Sequence, residues 1–118
     1  MYGLPKNFDP EFVCGATLEQ ICFTENQVSF HFDHEISIIV ESAIAYSDPN
    51  ERLCSTTYRV PLRSSSIMHL LGKRVVEATR ENDNLKLIFE SGATLNCIDD
   101  TPQYEAYKII HKGHVLIV

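Results

Sequence analysis

Glycine and proline are scarce in this sequence, with five of each in 118 residues. That excludes a fibrous chain and argues against extended disorder. Long apolar runs are missing too. No stretch approaches the ~20 apolar residues of a membrane-crossing helix, so no membrane partner is expected. Residues 1–10 hold Lys6 and Asp9 but no apolar segment of the signal-peptide kind, and a cytoplasmic location is expected. Paired cysteines are also absent. Cys14, Cys22, Cys54 and Cys97 form no CxxC, whereas zinc ligands come in pairs about two to four residues apart. Four free thiols are therefore expected, with no metal. No glycine-rich phosphate loop and no GxSxG elbow occurs, and no cofactor is expected.

What remains is ordinary globular composition, 44% apolar and 22% charged. The length suits one domain spanning residues 1–118. The net charge of −6 is unevenly spread. Residues 1–51 hold nine acids and one base, whereas residues 52–76 hold five bases and no acid. So acidic a chain is a poor ligand for nucleic acid. Its polarity suits a cationic protein partner or a second copy of itself.

Two stretches of the chain resemble each other. Gly15-Ala16-Thr17-Leu18 matches Gly72-Lys73-Arg74-Val75 at an offset of 57. The same offset sets Val28, Phe30 and Phe32 on Leu85, Leu87 and Phe89, and Ile36 and Ile38 on Ala93 and Leu95. In both, apolar residues recur at every second position, the period of a half-buried strand. The pattern predicts two pseudo-repeats, residues 15–46 and 72–110. Each would be a three-stranded antiparallel meander, the two forming a curved sheet or partly closed barrel. Ile36–Glu41 is the third strand of the first meander, running on toward Tyr46.

Between them, Ser64 to Ser66 offer an N-cap and Ile67, Met68, Leu70 and Leu71 an apolar stripe. Gly72 suits the end of a helix. One short helix, about residues 65–71, is predicted, which makes the fold class α+β, mostly antiparallel β. Leu53–Val60 reads as a further strand ended by Pro61. The last four residues, Val115-Leu116-Ile117-Val118, are all apolar β-formers. Such an end must be paired, within the domain or across a subunit boundary, and a homodimer is expected.

Chemistry-bearing clusters are few. His31 and Asp33 share a strand face, but His34 and Glu35 fall in the turn, so no metal set converges. Asp99-Asp100 could hold a cation or act as acid and base, yet Asp before Thr-Pro commonly starts a turn. His111 and His114 lack a third ligand. Ser64 to Ser66 with His69 lacks the geometry of a nucleophile and base. No catalytic residue is assigned, and the protein reads as not an enzyme.

Three patterns then carry a family resemblance: Leu71-Gly72-Lys73-Arg74-Val75; Leu85-x-Leu87-x-Phe89-x-x-Gly92-x-x-Leu95; and Asp99-Asp100 with Tyr104-Glu105-Ala106-Tyr107-x-Ile109. From Leu71 to Ile109 the chain resembles a family of small bacterial domains of unknown function, reminiscent of immunity-type proteins. The resemblance implies a non-catalytic interaction protein, in its most specific form an acidic immunity-type inhibitor of a partner protein. It draws attention to Tyr104 and Glu105, a polar pair after a turn. The candidate contact residues are Asp33, Asp99, Asp100, Tyr104, Glu105 and Tyr107. The alternative is a small-molecule binder or hydrolase, with Asp33, Asp99, Glu105 and Tyr107 lining a groove between the halves.

Overall fold

Alternating apolar residues build nearly everything in the molecule. A computed structural model describes residues 3–49, 56–62, 66–99 and 105–118. Among them run ten strands: β1 (Leu18–Phe23), β2 (Val28–Phe32), β3 (Ile36–Val40), β4 (Ala43–Ser47), β5 (Thr56–Arg59), β6 (Val75–Glu81), β7 (Asn84–Phe89), β8 (Thr94–Ile98), β9 (Tyr107–His111) and β10 (His114–Ile117). They form two five-stranded sheets, ordered β1-β2-β3-β9-β10 and β5-β4-β8-β7-β6, with every pairing antiparallel.

The fold is therefore mostly β, and the α+β expectation is wrong. The helix expected at about 65–71 is a single 3-10 turn, Ile67–Leu70. Only Ile67 and Leu70 bury their side chains there, while Met68 is 54% exposed. A buried pair at i, i+3 satisfies one 3-10 turn, with three residues per turn, as well as an α-helix. Ser66 makes no side-chain cap bond, and Ser64 and Ser65 lie outside the described residues. Gly72, at φ 80°, serves the sheets instead: its N–H donates to Leu18 O at 2.8 Å.

Neither a single curved sheet nor a closed barrel is present. Strands β1 to β3 pair in order, as do β6 to β8, but each set is extended by a hairpin from the other half of the chain. The β4–β5 hairpin adds to β8, and the β9–β10 hairpin adds to β3. Ile36–Tyr46 is thus two strands in two sheets. The chain turns at Glu41-Ser42, whose N–H groups both donate to Ala106 O, at 2.9 and 3.2 Å. The exchange gives β3 and β8 neighbours on both sides, so their main-chain groups are satisfied in the interior.

Where the sheets meet, the main-chain bonds come in counterparts 57 positions apart. Gly15 N–H donates to Val75 O as Gly72 N–H does to Leu18 O, each at 2.8 Å. Leu18 N–H donates to Lys73 O and Val75 N–H to Ala16 O, at 3.0 and 2.8 Å. The ladder slips at matching places, between Leu18 and Gln20 and between Val75 and Glu77. One core joins both sheets, with Phe30, Ile38 and Ile44 packed in the same cluster as Leu87, Leu95 and Tyr107. No helix among the described residues is long and apolar enough to cross a membrane.

Candidate functional site

Of the six candidate residues four are described, and Asp33, Asp99, Glu105 and Tyr107 do not gather at one place. Asp33 stands at the end of β2, where its Oδ1 accepts the Thr17 N–H at 2.8 Å. Its counterpart is Glu90, whose Oε1 accepts the Arg74 N–H at 3.3 Å. Both acids latch the strand junction, so Asp33 is a structural acceptor. His31 is engaged as well, with its Nδ1 2.9 Å from Ser37 Oγ. Among the described residues no group of three or more His, Cys, Asp or Glu is placed to hold a metal ion.

Tyr107 is buried in the core, and its hydroxyl donates to Asp83 O at 2.6 Å. Burial pushes the phenol pKa upward, and the nearby Cys97, Asp99 and Asp83 push it further. A phenol so enclosed anchors the β6–β7 turn. Cys97 beside it is a buried thiol pushed up to about 12 by desolvation. Cys14 and Cys22 are also free thiols, while Cys54 lies outside the described residues. Asp99 borders this region, its N–H donating to Asn84 Oδ1 at 2.8 Å. Asp100 and Tyr104 lie outside the described residues.

Glu105 has partners that the sequence did not suggest. It faces Glu41 at the corner after β3, and Lys108 Nζ lies 3.7 Å from Glu105 and 4.0 Å from Glu41. Desolvation raises the Glu41 pKa most, the Glu105 carboxylate adds to the rise, and Lys108 opposes both. Two carboxylates and one ammonium leave a net negative spot on half-buried ground. Asp33 is at the other end of β3, which is about 13 Å long at ~3.3 Å per residue. The four residues expected to line one groove thus stand apart, with Asp33 and Glu105 toward opposite ends of β3 and Tyr107 in the core.

The strongest surface feature is the edge strand β10. A tight turn, with Lys112 at φ 51° and Gly113 at φ 83°, opposes His111 to His114 in the manner of a type I′ hairpin. Val118 N–H donates to Tyr107 O at 2.8 Å, and Ala106 N–H donates to Val118 O at 2.7 Å. Antiparallel ladders alternate. The main-chain groups of His114 and Leu116 therefore face β9, and those of Val115 and Ile117 face outward. The side chains of Val115 and Ile117 are 57% and 44% exposed. The opposite outer edge is β5, which exposes Thr57 and Arg59 and is followed by Pro61. Charge and proline are the usual guards of a sheet edge. β5 has a charge within it and a proline just after it, and β10 has no lysine, arginine, acid or proline.

Among known proteins, a family model for a family of unknown function, DUF6188, matches residues 11–118. No curated protein and no solved structure matches the chain.

Proposed function

We propose, for a chain that belongs to the DUF6188 family of unknown function, a non-catalytic interaction protein that pairs β10 with the same strand of a second copy. The observation that supports this is the unguarded edge. Val115 and Ile117 present main-chain donors and acceptors that pair with no other described residue, together with exposed apolar side chains.

A twofold axis at Leu116 would make the strand complementary to itself. Val115 would face the partner's Ile117, and each would exchange an N–H and a C=O across the axis. The side chains of this pair would cover one another on the outer face, beside Ile110, which opposes Val115 in the β9–β10 ladder. Residues 115–118 carry no charged side chain. Two chains of net charge −6 can therefore meet here without placing like charges in contact. One short strand lies at the small end of specific interfaces, so the dissociation constant should be on the order of 10 to 100 μM.

Sedimentation velocity across that range tests the reading, with Val115→Pro as the diagnostic variant. Proline removes the outward N–H of residue 115 and leaves the β9 ladder intact, as edge strands allow. The expected result is a concentration-dependent dimer for the native chain and a folded monomer for the variant. A native chain that stays monomeric at several hundred micromolar overturns the proposal. So does a dimer that survives Val115→Pro.

A further inference from the structure

A second region, independent of β10, is arranged to receive a ligand. Asp48, just after β4, His69 and Lys73, around the second 3-10 turn, and Ser91, in the β7–β8 turn, line an open cleft of about 310 Å³. Asp48 is buried at its floor, where Tyr46 OH donates to Oδ2 at 2.9 Å. Pro49 packs against Gly92, close enough that a Cβ there would lie 3.1 Å from the proline ring. This contact holds the Asp48 segment against the β7–β8 turn. Ser91 Oγ accepts the Ala93 N–H at 3.4 Å, which leaves its O–H to donate. Among the described residues no carboxylate pairs with the Lys73 ammonium.

The corresponding place in the other half is closed. The offset of 57 carries His69 to Phe12, Lys73 to Ala16 and Ser91 to His34. Asp48 follows the strand laid on β8, and His111 ends the strand laid on β3. In that half Phe12 and His111 stack with ring centroids 4.4 Å apart and planes 15° from parallel. Two rings and an alanine fill the position where the other half has an opening lined by polar side chains. Stability alone would favour filling both. The open one retains a lysine and a serine whose donors are not used elsewhere in the described structure.

We infer that this cleft binds a small monocarboxylate, with Lys73 and Ser91 as its donors. The ammonium supplies the charge and the hydroxyl fixes one oxygen. The volume is at the low end for ligand sites and suits a molecule of a few heavy atoms. Lys73 is the one lysine or arginine lining the cleft among the described residues, which suits a single negative charge, so a carboxylate is preferred to a phosphate dianion.

The test is an amide NMR titration of the full chain with sodium acetate, beside sodium phosphate and sodium chloride at matched ionic strength. The expected result is a saturable shift of the Lys73, Ser91 and Gly92 amides with acetate, absent with chloride. In Lys73→Met the apparent affinity should fall at least about tenfold, the cost of one charged hydrogen bond. Lys73 contributes only its main chain to the ladder, accepting from Leu18 N–H, so this variant should keep its fold and its native spectrum elsewhere. No saturable shift overturns the inference, as does equal binding by Lys73→Met or tighter binding of phosphate. A failure of the β10 dimer bears on none of these outcomes.

Discussion

The two sheets share one backbone plan and differ in what occupies matching places. In the first sheet the outer edge is β10, apolar and unguarded, and the site beside the 3-10 turn is filled by Phe12 on His111. In the second sheet the outer edge is β5, which carries Arg59, and the matching site is a polar cleft. Each sheet thus closes one surface and leaves the other open. The backbone plan is fixed by the hydrogen-bond ladder and the core, which tolerate no polar intrusion. Side chains outside that plan are free to diverge, so differences between the halves mark where function can reside.

Four substitutions probe how far the likeness extends. Phe30 and Leu87 occupy matching central positions and are both fully buried. Phe30→Ala should cost roughly 3–5 kcal/mol and Leu87→Ala roughly 2–5 kcal/mol, because each leaves a cavity. Since the core is shared, each should lower the midpoint of one cooperative transition in urea. Two separated transitions in either variant would show that the sheets fold independently and would break the comparison.

A smaller effect is expected at Tyr107. Ile44 pairs with Cys97 on β8 as Tyr107 pairs with Val40 on β3, but only the tyrosine has a hydroxyl. Tyr107→Phe should cost about 1–2 kcal/mol for the lost bond to Asp83 O. Its effect should be confined to the β6–β7 turn and β9, which amide exchange would reveal. A change below about 0.3 kcal/mol would mean that solvent compensates at Asp83.

The smallest effect concerns Glu41, whose place at the second corner is taken by the uncharged Ile98. Its carboxyl pKa is raised in the folded state, so the native chain holds this proton more tightly than the unfolded chain does. The associated stability is complete below the ordinary Glu pKa and is lost as pH rises through the raised value. Glu41→Gln should therefore flatten that decline just above pH ~4.5. The difference should be under about 1 kcal/mol for groups this exposed. A native profile that rises with pH over the same window, relative to the variant, would contradict the assigned cause.

Much of the local structure is legible from residue order. Val28, Phe30 and Phe32, and likewise Leu85, Leu87 and Phe89, alternate so regularly that no other element suits them. The turns at Asn82 and at Lys112-Gly113 sit between such strands and take positive φ. The stripe from Ile67 to Leu70 is ambiguous by itself, since i, i+3 spacing serves both helical forms. Exposure of Met68 settled it, and exposure depends on what packs against the turn. The contact residues were less legible still. Asp33 and Tyr107 are polar in sequence, but their oxygens are engaged by the main chain of distant segments.

By itself the sequence determined most of the strands, most of their turns and the apolar character of the last four residues, because each depends on neighbours within a few positions. Tertiary structure decided which sheet each hairpin joins, as when Ala43 pairs with Ile98 and Ile36 with His111. It decided too that Glu41 and Lys108 gather around Glu105 and that one cleft opens where the other is filled. Those outcomes rest on contacts between residues far apart in the chain, and local periodicity carries no information about which distant strand completes a sheet.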